Sequence, residues 1–161
     1  MIISILFFFF FLIETTININ IGFIKPNLTL TLLILYSLLR GHREGTIIGL
    51  LIGFVIDVFY GAGIGINMMI YMHVGYIMGC LKKEFARESY GFITLMGLGI
   101  ILFSVEKYIL SYMFIDRINI WQYITNYTLM EVVLNSLLSL MIYPIIYMIN
   151  ENLEEKEYRK I

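Results

Sequence analysis

The sequence predicts an all-α integral membrane protein with six transmembrane helices. Of its 161 residues, 60% are hydrophobic and only 14% are charged, and the mean hydropathy is +0.85. A soluble domain carries about a quarter charged residues, which cover its water-facing surface. Long apolar runs, such as 28–39 and 92–105, contain no charge. In lipid such runs form helices, because the backbone must satisfy its own hydrogen bonds.

Six apolar segments follow one another along a single predicted transmembrane domain. We place the spans at about 2–21, 26–39, 45–60, 67–81, 90–114 and 124–149, before a short charged tail at 150–161. The first span lacks the positive start and small-residue exit of a cleaved signal peptide, so we expect a retained helix. Pro26 suits the first turn of the second helix. Spans two to four are about 21–24 Å long, shorter than the hydrocarbon core of about 30 Å.

Glycine-rich and polar segments separate these spans. Residues 61–65 read GAGIG and predict a turn, because glycine is a poor helix former. Residues 82–88 and 116–119 are polar loops, and the aromatic residues at 121 and 123 suit a membrane interface. Pro144 can kink span six, and the mixed-charge tail can prolong that span as a helix.

The basic residues predict the orientation of the chain. With six spans, the N-terminus, loops two–three and four–five and the tail share one side of the membrane. The other side holds only Lys25 and Arg117. Because cytoplasmic segments carry the excess of Lys and Arg, we expect both termini in the cytoplasm. The basic residues on that side are Arg40, Arg43, Lys82, Lys83, Arg87, Lys156, Arg159 and Lys160.

Small residues recur at every fourth position along span three. On a helix this spacing forms a slowly winding stripe, and small residues let another backbone come close in a membrane. We favour packing inside the chain's own bundle, with contact to a partner protein as the alternative. The residues concerned are Gly41, Gly45, Gly49 and Gly53, followed by Asp57, with Gly75 and Gly79 as natural counterparts on span four.

Several ionisable residues lie inside the predicted spans, where a charge is costly and normally paired. All fall in the predicted outer half of the membrane, and His73 reaches a similar depth. One interpretation is a set of local pairs, such as Lys107 with Glu131. The other is a polar cavity that opens outward. The remaining residues are Glu14, Asp57 and Glu106, and Asn135 continues a polar face of span six with Thr128, Glu131 and Ser139.

The composition and motifs exclude most enzymatic and ligand-binding classes. The net charge of −1 gives no basic excess for nucleic acid. The single cysteine, Cys80, excludes an internal disulfide and a cysteine-rich metal site. The chain has no HExxH motif or phosphate-binding loop, and no nucleophile has a credible histidine partner. We therefore expect neither an enzyme nor a bound cofactor or metal.

Four segments together resemble one known family. They are KPNL at 25–28, RGHREG at 40–45, GLLIGFVID at 49–57 and GYIMG at 75–79. This pattern, which includes Pro26, Arg40 and Asp57, resembles the MreD family of rod shape-determining membrane proteins. The resemblance implies a six-helix fold like that of the substrate-binding subunits of energy-coupling-factor transporters.

The resemblance also implies a function and partners. It points to a non-enzymatic scaffold of the bacterial elongation machinery, in the inner membrane, that maintains rod shape by organising lateral peptidoglycan synthesis. The implied partners are MreC and, through the assembly, MreB, RodA and a penicillin-binding protein. Whether a lipid-linked ligand binds is left open. The alternative is a substrate-binding membrane subunit of a small-molecule transporter, which needs an open polar cavity.

Overall fold

The described part of the chain is entirely helical. The computed structural model describes residues 27–60, 65–82, 91–114 and 128–158, together with Phe7, Phe9, Phe11, Leu12 and Glu14. These last five residues, which lie between positions 7 and 14, are helical and fall within predicted span one. The helices are α1 (Leu28–Arg40), α2 (His42–Tyr60), α3 (Ile66–Cys80), α4 (Gly91–Phe114) and α5 (Leu129–Tyr158).

Helices α1 to α5 correspond to predicted spans two to six, with differences at their ends. Helix α2 begins at His42, not at 45 as predicted, since only Gly41 separates it from α1. Helix α5 continues through Pro144 as far as Tyr158, so the charged tail prolongs it. Pro26, most of span one, the segments at 61–64, 83–90 and 115–127, and residues 159–161 lie outside the described residues.

The start of α1 corrects the predicted start of span two. The helix begins at Leu28, and Asn27 occupies the N-cap position, where its side-chain oxygen accepts a hydrogen bond from the Leu30 amide at 2.8 Å. Asparagine favours this position because its side chain satisfies an amide that lacks a partner within the helix. The helix therefore starts two residues after the predicted start of span two, and Pro26 itself lies outside the described residues.

Helix α1 is the central helix of the bundle and contacts the other four. Its residues from Thr29 to Leu39 are all buried, as expected for a helix that is mostly apolar on every face. Two of its polar side chains bond to backbone carbonyls one turn earlier: Thr31 donates to the Asn27 carbonyl at 3.0 Å, and Ser37 donates to the Leu33 carbonyl at 2.7 Å. The core thus surrounds α1 on all sides.

Only one segment of the described helices, 93–110 in α4, is long and apolar enough to cross a membrane by length and composition. Helix α1 and residues 131–144 are shorter apolar stretches, and α2 carries Arg43, Glu44 and Asp57. By length and composition alone, the described helices therefore do not each qualify as a separate membrane span. Helix α1 is about 20 Å long at 1.5 Å per residue, and protein surrounds it.

The outer faces of α4 and α5 are strongly apolar. Large side chains recur there with nearly half to three-quarters of their surface uncovered, and such a surface suits lipid or another protein far better than water. The central helix is buried while the peripheral helices expose apolar groups, which agrees with a bundle embedded in a membrane. The exposed residues include Ile93, Leu98, Ile101, Val105 and Ile109 on α4, and Val133, Leu137, Leu140 and Met141 on α5.

Candidate functional site

Helices α2 and α3 meet along a line of glycines that brings their backbones into direct contact. A Cβ atom added at Gly45 would lie 2.5 Å from the Gly75 carbonyl oxygen, and one at Gly49 would overlap the Tyr71 carbonyl. One at Gly53 would lie 2.5 Å from the Asn67 carbonyl oxygen. Such distances leave no room for any side chain. We call this contact the glycine seam.

The two ends of the predicted glycine stripe behave differently from its middle. Gly41 is not on the α2 face: it ends α1 with a φ of 101°, which glycine adopts readily, and its amide donates to the Ser37 carbonyl at 2.8 Å. Gly79 on α3 abuts the backbone of His42, the first residue of α2. The stripe therefore lies within the chain, between two consecutive helices.

Asp57 ties the end of α2 to the start of α3. Its carboxylate accepts hydrogen bonds from the amides of Gly65 at 2.7 Å, Asn67 at 3.0 Å and Met68 at 3.0 Å, and from the Asn67 side chain at 2.9 Å. The side chain is only 3% exposed. Gly65 is the N-cap residue of α3 and has no side chain that could accept a hydrogen bond, so Asp57 supplies the missing cap. The negative charge of Asp57 is also stabilised by the positive end of the helix dipole.

Glu14 performs a similar task at the start of α1. Its Oε2 atom accepts hydrogen bonds from the Thr29 amide at 3.1 Å and the Thr29 hydroxyl at 2.6 Å. Thr29 lies in the first turn of α1, where amides have no partner within the helix. The carboxylate from the N-terminal segment therefore joins that segment to the central helix.

Asn135 on α5 completes the environment of the α1 N-terminus. Its side-chain oxygen accepts from the Asn27 amide at 2.9 Å, and the Asn27 side-chain nitrogen donates to the Tyr71 hydroxyl at 3.1 Å. Asn135 is about 9 Å along α5, and Tyr71 about 8 Å along α3, at 1.5 Å per residue. The start of α1 is thus enclosed within the bundle. The buried Asn135 side-chain nitrogen has no hydrogen-bond partner among the described residues.

Lys107 and Glu131 do not form the direct ion pair that the sequence predicts, although the charge of Lys107 still acts on the Glu131 carboxylate. Among the described residues, ion pairs join Arg40 to Glu44 at 3.1 Å and His73 to Glu106 at 3.9 Å, and none joins Lys107 to Glu131. Glu131 instead accepts from the Ser104 hydroxyl at 3.3 Å, and the Lys107 nitrogen lies 5.6 Å from the centre of the Phe103 ring. Equal depth on neighbouring helices does not fix which way each side chain turns.

His73 belongs to the same pattern of local pairing. Its partner is Glu106 on α4, while Asp57 is engaged with backbone amides at the other helix junction. Arg40 at the end of α1 pairs with Glu44 at the start of α2, and Glu44 also accepts a hydrogen bond from the Tyr36 hydroxyl. The predicted polar residues therefore fall into separate small groups at helix ends and helix contacts.

The described residues contain no group of three or more His, Cys, Asp or Glu side chains that suits a metal ion. A gap of about 180 Å³ lies between α1, α2 and the N-terminal segment, and its walls are mainly apolar: Phe7, Phe11, Ile48, Leu51, Ile52 and Val55 line it, with Thr29 as the polar member. This gap suits an acyl chain or an apolar side chain better than a polar substrate.

Three residues that form hydrogen bonds around the α1 N-terminus were not predicted: Asn27, Thr29 and Tyr71. The sequence does contain a signal for Asn27, because an asparagine directly before an apolar run is a typical N-cap. Nothing in the sequence pattern predicts that Tyr71, on α3, reaches Asn27 across 44 residues.

Comparison with known proteins gives the family. The family model described as rod shape-determining protein MreD matches residues 1–152. No curated protein and no solved structure matches the chain. The family match spans the glycine seam, both carboxylate caps and most of α5, so it covers nearly all of the described architecture rather than one motif. The chain belongs to the MreD family, whose members are rod shape-determining membrane proteins.

Proposed function

We propose that this chain is a non-enzymatic membrane scaffold of the bacterial elongation machinery. In this proposal it maintains rod shape by holding MreC in the membrane and, through the assembly, by organising MreB, RodA and a penicillin-binding protein for lateral peptidoglycan synthesis. The family match over residues 1–152 supports a role in rod shape. The scaffold mechanism and these partners are the further step.

The observation that carries the scaffold mechanism is the state of the intramembrane carboxylates. Glu14 and Asp57 each accept hydrogen bonds from backbone amides at a helix N-terminus of the same chain. Glu106 faces His73, and Glu131 faces Ser104. A substrate-binding subunit needs polar groups directed into an open cavity, whereas a scaffold needs them to fix the positions of its own helices. This arrangement favours the scaffold over the transporter subunit.

The proposal includes a multi-pass placement in the inner membrane. We propose six crossings with both termini in the cytoplasm, in the arrangement of the substrate-binding subunits of energy-coupling-factor transporters. Two observations support it: the eight-to-two distribution of basic residues between the two predicted sides, and the apolar outer faces of α4 and α5. The short α1 crosses inside a sheath of other helices and so needs no lipid contact of its own.

The orientation gives a direct prediction. In a Cys80→Ser background, a cysteine placed at Lys160 should be shielded from a membrane-impermeant thiol reagent in intact cells and should react after permeabilisation. A cysteine at Arg117, on the predicted outer side, is the matched control and should react in both states. Labelling of the Lys160 cysteine in intact cells would contradict the proposed topology.

The role in shape gives a second prediction. In a rod-shaped bacterium that carries this chain, depletion of the protein should turn rods into rounded cells, and re-expression should restore rods. Gly97→Ala should restore rods fully, because a Cβ there meets only the Val132 side chain at an ordinary 3.8 Å. Rods that persist after complete depletion, measured by the length-to-width ratio, would contradict the proposed function.

A further inference from the structure

The end of the bundle where α1 stops, α2 starts and α3 stops contains a second feature, which includes the Arg40–Glu44 pair described above. A cavity of about 430 Å³ opens there. Its charged lining consists of Arg40, Arg43 and Lys82, with Glu44 as the acidic member, and His42 also lines it. We call it the basic pocket. We propose that the basic pocket binds the phosphate-bearing headgroup of an anionic phospholipid.

The charge balance of the pocket is positive. Glu44 is already engaged, since it accepts hydrogen bonds from the Tyr36 hydroxyl and from Arg40 at 3.1 Å. Arg40 and Glu44 therefore largely compensate one another. Arg43 and Lys82 are both exposed, and neither makes an ion pair or hydrogen bond within the described part of the chain. Among the described residues, Arg43 and Lys82 are thus two cations at one cavity without an acidic partner.

The walls of the pocket are held in a fixed relation by backbone contacts. The Gly45 amide donates to the Gly41 carbonyl at 3.0 Å, which joins the α1–α2 junction to the first turn of α2. Gly79 at the end of α3 abuts the His42 backbone. A Cβ at Gly41 would lie 3.5 Å from Cδ of Lys82, so the Lys82 stem lies directly beside the junction. The cations are therefore brought together by the fold and not by one flexible loop.

The surroundings favour a lipid over a free phosphate. Ile47 lies one turn after Arg43 on the same helix face and is 60% exposed. Tyr76, which is 50% exposed, lies edge-on to the His42 ring with centroids 5.8 Å apart. The pocket thus continues into exposed apolar surface, where acyl chains would lie. Basic pockets between helices at a membrane surface suit anionic headgroups, and this step relies on the membrane placement proposed above.

Lipid binding to the purified full-length chain tests the proposal. Native mass spectrometry from detergent micelles should show tighter binding of phosphatidylglycerol than of phosphatidylcholine. The double variant Arg43→Gln/Lys82→Gln should weaken phosphatidylglycerol binding by about fivefold for each cation removed, roughly 30-fold in total. Both side chains are exposed, so thermal unfolding should not change. The charge-preserving variant Arg43→Lys/Lys82→Arg should retain binding.

A matched control separates a site from general surface charge. The variant Lys25→Gln/Arg117→Gln removes the same two charges from the predicted opposite side and should leave phosphatidylglycerol binding intact. An equal loss in both double variants, or no loss in the pocket variant, would overturn the proposal. Displacement of phosphatidylglycerol by millimolar inorganic phosphate would identify a free-phosphate site and overturn the lipid assignment. Loss of MreC or of rod shape bears on the proposed function and not on this measurement.

Discussion

Gly49→Ala should destabilise the folded chain by about 2–3 kcal/mol, in the upper part of the range for overpacked cores. The added methyl group would overlap the Tyr71 carbonyl, and this is backbone that yields only if α2 and α3 move apart. Gly45 and Gly53 are in the same situation, so separation would open the whole seam. The effect should appear as a lower thermal unfolding midpoint in detergent and a smaller yield of monodisperse protein.

Gly97→Ala is the matched control for this experiment. It makes the same substitution within α4, where the nearest atom to the new Cβ is the Val132 side chain at 3.8 Å. Because alanine is the better helix former by roughly 1 kcal/mol, this variant should be as stable as the wild type or more so. If Gly49→Ala were as stable as Gly97→Ala, the glycine seam would not be a close backbone contact.

Asp57→Ala should destabilise the folded chain by at least about 3 kcal/mol. Loss of a helix cap accounts for about 0.5–2 kcal/mol, and each buried amide left without an acceptor adds about 1–3 kcal/mol. The amides concerned belong to Gly65, Asn67 and Met68. Asp57→Asn should destabilise the chain less than Asp57→Ala. Its remaining side-chain oxygen can still accept from some of these amides, although its NH₂ group replaces the second acceptor with a donor.

The chain's other aspartate supplies the control for the Asp57 variants. Asp116→Ala removes the same side chain from the predicted polar loop at 116–119 and should leave the unfolding midpoint nearly unchanged. Equal stability of Asp57→Ala and Asp116→Ala would contradict the capping role. If Asp57→Asn kept full stability but failed to restore rod shape, Asp57 would instead act in a cavity or at a partner surface.

The sequence pattern predicted contacts that depend on spacing along one helix better than contacts between helices. Glycines at every fourth position of α2 predicted that another helix approaches closely, because a helix face without side chains lets a second backbone come into contact with it. The hydrogen-bond partners of Asp57 were not predicted, since they are backbone amides that lie 8–11 residues further along the chain, across a turn. A direct ion pair between Lys107 and Glu131 is not formed, for a related reason: depth along a helix can be estimated from the sequence, whereas rotation about its axis is set by packing.

Helix lengths show the same division. The apolar run of residues 28–39 identified α1 to within one or two residues of each end, but its central position was not predictable from its length. A 13-residue helix at a lipid-facing position would leave part of the membrane unspanned. Burial on all sides removes that constraint, and the enclosure depends on contacts from α2, α3, α4 and α5 that are distant in sequence.

We propose that this MreD-family chain acts as a scaffold and not as a transporter subunit. Affinity purification of the tagged full-length protein from native membranes, with the co-purifying proteins identified by mass spectrometry, tests it most directly. The scaffold predicts that MreC is recovered in near-stoichiometric amount and that transporter ATPases are absent. Recovery of transporter ATPases without MreC would contradict the account and identify the chain as a substrate-binding membrane subunit.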